Sequence, residues 1–86
     1  MKSVNSDEYQ IFLDCLIAAR KAADMTQEEL AGKLGRPQSF VSKYENRERR
    51  LDVIEFLHVA RAMGADPLAL LRKINKGCAA EARKQP

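Results

Sequence analysis

Few side chains in this sequence could carry out covalent chemistry. His58 is the single histidine among 86 residues, and Cys15 and Cys78 are the two cysteines. Those three groups cannot complete a four-ligand zinc site, and their spacing matches no metal motif. One cysteine pair far apart in the chain is weak ground for a disulfide. Cys15 reads as a small buried hydrophobe and Cys78 as a free thiol near the C-terminus. The sequence has no phosphate-binding loop, zinc-protease helix or nucleophile–base pair. His58 therefore reads as a packing or solvent-facing residue, and no enzymatic activity, metal or cofactor is expected.

Charge is the chemistry that remains. The whole chain carries +3, but unevenly. Residues 1–32 carry −3, residues 33–50 carry +4 and residues 51–86 carry +2. The basic middle holds Lys33, Arg36, Lys43, Arg47, Arg49 and Arg50 against Glu45 and Glu48. Such a concentration is either a solvated face or the electrostatic footprint of a phosphate-binding surface. Hydrophobic residues make up 45% and charged residues 31%, which describes a globular chain rather than a disordered one. The longest uncharged apolar run, Cys15–Ala19, falls far short of the ~20 residues a membrane span needs. The first eight residues lack the apolar centre of a signal peptide. A soluble cytoplasmic protein with no membrane partner is expected.

The elements that must position this charge are helical. A first helix is predicted from Asp7 to about Ala23, capped by Ser6 or Asp7, with Leu13, Leu16, Ala19, Arg20 and Ala23 at three- and four-residue steps. Thr26-Gln27-Glu28-Glu29 is a capping box that opens a second helix, which Gly35 stops after about two turns. Pro37 suits the start of a third helix, with Val41 and Tyr44 on one face and Gln38, Ser39, Ser42 and Lys43 on the other. Asn46 is a candidate left-handed cap. Asp52 and Glu55 form a second capping box ahead of Val53, Phe56, Leu57, Ala60 and Met63, and Gly64 ends that fourth helix. Asp66-Pro67 starts a fifth, carrying Leu68, Leu70, Leu71 and Ile74. No alternating β-branched run suggests a strand. The expectation is one all-α, five-helix domain over residues 1–74 and a flexible tail over 75–86, in which Ala79–Lys84 has some helical character.

Thr26–Asn46 then reads as a helix-turn-helix. Ala31 is small where the two helices cross, and Gly35 can adopt the turn geometry. Leu30, Leu34, Val41 and Tyr44 supply a shared inner face. The other side of the third helix is left polar and convex, a shape that fits a major groove about 12 Å wide.

With TQEELAGKLG, SFVSKYEN and LDVIEFLHVARAMGADPLALL in order, the chain resembles the Cro/C1-type (lambda-repressor-like, XRE) helix-turn-helix regulators over about Leu16–Ile74. The resemblance implies a compact five-helix domain that binds double-stranded operator DNA, usually as a homodimer. It places base reading on Gln38, Ser39 and Lys43, whose amide, hydroxyl and ammonium groups suit base edges. It places backbone contacts on Gln27 and on the loop of Asn46, Arg47, Arg49 and Arg50. Arg36, Phe40 and Ser42 flank these, and Phe40 either meets thymine methyls or packs on the second helix. Arg20 and Glu45, each expensive to bury alone, are implied to form a buried ion pair between the first and third helices. Leu68, Leu71 and Ile74 form the implied dimer face.

The chain departs from the family pattern at three places. Pro37 replaces a side-chain cap, Arg47 stands where glycine is common, and Tyr44 replaces an inner aliphatic residue. At Arg47 a left-handed turn would be costly, so Asn46 is expected to take it. The Tyr44 hydroxyl needs a partner or solvent. The expected function is a sequence-specific DNA-binding transcriptional regulator without an evident small-molecule ligand. The alternative is a protein-interaction module, an antitoxin or a transcriptional adaptor, that uses the same fold.

Overall fold

Local chemistry begins each helix where the sequence signals it. A computed structural model describes the backbone of residues 7–83 and the side chains of residues 8–80; Ser6, expected as a cap, and residues 84–86 lie outside the described residues. Five helices follow in order: α1 (Asp7–Ala22), α2 (Gln27–Leu34), α3 (Gln38–Glu45), α4 (Val53–Ala62) and α5 (Pro67–Arg83). No strand occurs among the described residues. Both capping boxes form. The Thr26 hydroxyl accepts from the Glu29 amide at 3.0 Å while the Glu29 carboxylate accepts from the Thr26 amide at 2.8 Å. Asp52 and Glu55 repeat the exchange at 2.7 and 3.0 Å. α3 has no side-chain cap, because Pro37 stands at that position. The Asp66 carboxylate accepts from the Leu68 amide at 3.1 Å and opens α5.

The helix ends share one device. After α1, α2, α3 and α4 the chain passes through a left-handed residue, and the next amide reaches back five positions to a helix carbonyl. The left-handed residues are Asp24 (φ 59°), Gly35 (φ 68°), Arg47 (φ 66°) and Gly64 (φ 73°). The closing bonds are Met25 N–H to Arg20 O, Arg36 N–H to Ala31 O, Glu48 N–H to Lys43 O and Ala65 N–H to Ala60 O, between 2.8 and 3.2 Å. This is the Schellman closure, which satisfies carbonyls that a helix end leaves without partners. The left-handed turn after α3 therefore falls on Arg47 and not on Asn46, whose φ is −91°. Asn46 continues the helical hydrogen bonding to Ser42 O, which pushes the reversal one residue later. A left-handed L-residue costs about 1–2 kcal/mol. The bond from Arg47 Nη1 to Gln10 Oε1, at 2.7 Å, offsets part of that cost.

The core collects the inward faces. Leu13 and Leu16 of α1, Leu30 and Ala31 of α2, Val41 and Tyr44 of α3, and Val59 and Ala60 of α4 are essentially inaccessible to solvent. Each fully buried leucine or valine among them stabilises the fold by about 1.5–3 kcal/mol. Leu70 and Met63 close the far end. Tyr9, Phe12 and Phe56 form an aromatic row from α1 to α4, with centroids 5.4 and 5.8 Å apart. α2 packs on α3 and α4, and α1 packs mainly on α5.

The expected tail is helix as far as Arg83. Residues 75–83 offer few apolar side chains, but Gly77 lets the Ile11 side chain of α1 pack directly on the α5 backbone. A Cβ at Gly77 would stand 2.8 Å from Ile11 Cγ2. Cys78 is half-buried beside the Glu8 carbonyl, with Sγ 3.9 Å away, rather than loose in a tail. Both cysteines are free thiols, and burial pushes each thiol pKa up. His58 is exposed.

Candidate nucleic-acid interface

The two short helices and the Gly35 turn hold one face of α3 outward. Gln38, Ser39 and Lys43 are exposed, and Ser42 is half-buried beside them. Phe40 goes the other way: it is 8% exposed and packs edge-on to Tyr44 at 5.6 Å, which favours the packing role for this ring. The Tyr44 ring is fully buried, and its hydroxyl finds no hydrogen-bond partner among the described residues. Burial pushes the Tyr44 phenol pKa far above its ordinary value.

A hydrogen-bonded relay ties this face to the interior. Arg20 donates through Nε and Nη2 to the two Glu45 oxygens at 2.9 and 3.1 Å, a fork between α1 and α3. Its Nη1 donates to the Met25 carbonyl at 2.8 Å. The pair is almost covered, with side-chain exposures of 11% and 5%. The bond to Glu45 raises the Arg20 pKa and keeps the guanidinium charged. Glu45 Oε1 accepts a further bond from Gln27 Nε2 at 2.8 Å. Gln27 Oε1 in turn accepts from Gln38 Nε2 at 2.8 Å. The line Arg20–Glu45–Gln27–Gln38 thus runs from a buried fork to the exposed start of α3. Gln38 retains its carbonyl oxygen and one amide hydrogen, the two groups that a bidentate contact to adenine uses.

The basic loop is more structured than its composition suggests. Arg47 turns inward: its Nη1 bonds Gln10, and its Nε and Nη2 are enclosed with no partner among the described residues. The expectation that Arg47 reaches a phosphate gives way to a role joining the loop to α1. The Arg50 guanidinium lies 4.1 Å from the Tyr9 ring centroid and is exposed. Asn46 is exposed as well. Arg49 forks onto Glu55, with Nη1 at 2.9 Å and Nη2 at 2.6 Å, and also donates to the Arg50 carbonyl at 2.9 Å. Arg36 Nη2 stands 3.7 Å from the same carboxylate. Under these cations, and above all through the Arg49 hydrogen bond, the Glu55 pKa falls to about 2.

Sequence reading treated Glu55 as a helix cap alone and gave Gln10 and Tyr9 no part. Glu55 paired with an arginine six residues away in sequence was open to detection, but contacts from α1 to the loop had no local signal. On α5, Leu68 and Leu71 are 63% and 44% exposed, whereas Ile74 packs partly against the core. Val53 and Ile54 are also exposed, at the start of α4. Among the described residues no group of histidine, cysteine and carboxylate side chains could hold a metal ion. No described helix is long and apolar enough to cross a membrane.

A family model described as Helix-turn-helix matches residues 16–70, which run from the second half of α1 through the α2–α3 unit to the start of α5. The chain belongs to the Cro/C1-type (XRE) helix-turn-helix family. Its fold is similar to that of the XRE-family like protein from Pseudomonas syringae pv. tomato str. DC3000, with a TM-score of 0.77 and 62% sequence identity over 80% of this chain and 86% of that one. A comparison with curated proteins found no match. This XRE-type domain is accordingly a DNA-binding helix-turn-helix regulator of transcription, with an all-α lambda-repressor-like fold.

Proposed function

We propose that this regulator reads operator DNA in the major groove with α3, using Gln38, Ser39 and Lys43 on base edges, and that it does so as a homodimer. The observation that carries the reading is the relay from the Arg20–Glu45 fork through Gln27 to Gln38. A side chain that reads bases discriminates only if its amide is held at a fixed angle, and a buried, charge-assisted anchor supplies that. Ser39 and Lys43 share the open face. Gln27 at the start of α2, with Asn46, Arg49 and Arg50, supplies the contacts to phosphate that set register without reading sequence. Arg36 and Ser42 border the same surface.

Leu68 and Leu71 support the dimer. Large apolar side chains this exposed on one helix call for a partner surface, and two-fold pairing would set two copies of α3 about 34 Å apart, one turn of the duplex. Ile74 contributes less to that face, since it already packs inside.

Selection of bound sequences from a random duplex pool tests the base-reading assignment. The wild-type protein should enrich a two-fold symmetric site. Lys43→Ala should enrich a different base at one position of each half-site, with a discrimination change of about 1–3 kcal/mol for one lost base contact. Identical enriched sites for the two proteins would remove α3 as the reading element.

A further inference from the structure

Four segments of the chain meet at the Phe40 ring: the turn before α3, α3 itself, the loop after it and the first turn of α4. The Arg36 and Arg49 guanidiniums lie over that ring, 4.3 and 5.0 Å from its centroid. Both point to the Glu55 carboxylate, Arg49 through a two-bond fork and Arg36 at 3.7 Å. Glu55 is itself fixed by the backbone, because its Oε1 accepts from the Asp52 amide at 3.0 Å. The exposures are ordered in one sense. The Glu55 side chain is 13% exposed, whereas Arg49 and Arg36 are 39% and 43% exposed. The carboxylate is therefore covered and the two cations remain open to solvent.

Arg49 keeps two of its donors. A guanidinium has five N–H groups. Glu55 takes one hydrogen from each Nη, and the Arg50 carbonyl takes the second from Nη1. The Nε hydrogen and one Nη2 hydrogen have no acceptor among the described residues. They belong to a cation held against an aromatic ring instead of one at the end of a swinging chain.

We propose that Glu55 is a positioning residue for DNA binding, holding Arg49 and Arg36 at the flank of α3 so that their remaining donors meet a backbone phosphate already oriented. An acidic residue next to a DNA surface would ordinarily weaken binding by repulsion. Here its charge is spent on two guanidiniums, and the order it imposes is the larger effect. The proposal rests on the DNA-binding reading and adds a residue on α4 to a surface otherwise made by α2, α3 and the loop.

Glu55→Gln is the informative variant. Glutamine at the third helical position retains the capping box, so α4 keeps its start while the carboxylate charge is lost. Binding to a fluorescein-labelled random-sequence 20-base-pair duplex should weaken about fivefold, and the slope of log K against log salt should shrink by about one contact, ~0.9 units. Arg49→Ala should weaken binding likewise, and the double variant should lose less than the sum of the two single losses, because Glu55 acts largely through the Arg49 contact and only in part through Arg36. Melting by circular dichroism accompanies each measurement. Unchanged or tighter binding by Glu55→Gln overturns the proposal, as does a loss of affinity that follows stability with the salt slope unaltered. Losses that add in the double variant overturn it too. Failure of the wild-type protein to bind the duplex at low salt would instead remove the DNA-binding reading, and this proposal with it.

Discussion

Replacing Arg20 with methionine tests the physical core of the reading. Arg20 donates three hydrogen bonds, two to Glu45 and one to the Met25 carbonyl. Removing it strands a carboxylate that is 5% exposed, with Gln27 as its one remaining side-chain donor among the described residues. Breaking one side of a buried pair costs about 3–5 kcal/mol, and we take the lower figure because the site is not sealed. For a domain of this size, about 3 kcal/mol corresponds to a fall in Tm of about 12–24 °C. In urea, with a slope of about 1 kcal/mol per molar, the midpoint should fall by about 3 M. The double variant Arg20→Met with Glu45→Met should regain most of that loss, since apolar replacement of a buried pair is often neutral or stabilising. It should not regain DNA affinity. Gln27 loses its acceptor and Gln38 loses its anchor, and the weakening should be about fivefold, the worth of one hydrogen bond near 1 kcal/mol. Circular-dichroism melts and duplex titration read the two effects separately. A single variant that costs under about 1 kcal/mol, or a stable double variant that binds DNA like wild type, would mean that the Arg20–Glu45 fork neither holds the fold nor anchors Gln38.

Other outcomes follow from particular residues. Tyr44→Phe removes a buried hydroxyl without a partner among the described residues and should raise stability by about 1 kcal/mol in a urea melt. Glu55 has a folded pKa depressed to about 2 from an ordinary value of 4.5. Its contribution to stability is therefore full above pH 4.5 and is lost as pH falls from 4.5 toward 2, because the unfolded chain takes up the proton first. Melts of Glu55→Gln across that window should show a shallower acid loss than wild type. Leu68→Glu with Leu71→Glu should convert a dimer to a monomer in sedimentation velocity, and, since both side chains are exposed on the single chain, should lower the melting temperature only by what dimerisation adds, a loss that shrinks as the protein is diluted.

The helices and their order follow from short-range signals in the chain, because caps and stripes act locally. A capping box, a glycine past a helix end and an apolar stripe act within a few residues, so Thr26, Asp52, Gly35 and Gly64 marked boundaries that the fold keeps. The family resemblance, carried by about Leu16–Ile74, also implied the pairing of Arg20 with Glu45, which then appears as a two-bond fork. Packing decided the rest. α5 runs on to Arg83, and within that stretch the Gly77 backbone lies against the Ile11 side chain, a contact that composition cannot express. The reversal at Arg47 depended on Gln10 and Tyr9, brought near by α1 from 37 residues away in the case of Gln10. The same holds for the arginines of the basic loop. Their number was plain in the chain, but which of them face solvent was settled by the carboxylates and rings they meet. Charge is additive along a sequence, whereas its availability to a phosphate depends on distance and burial, and those exist only once the helices have packed.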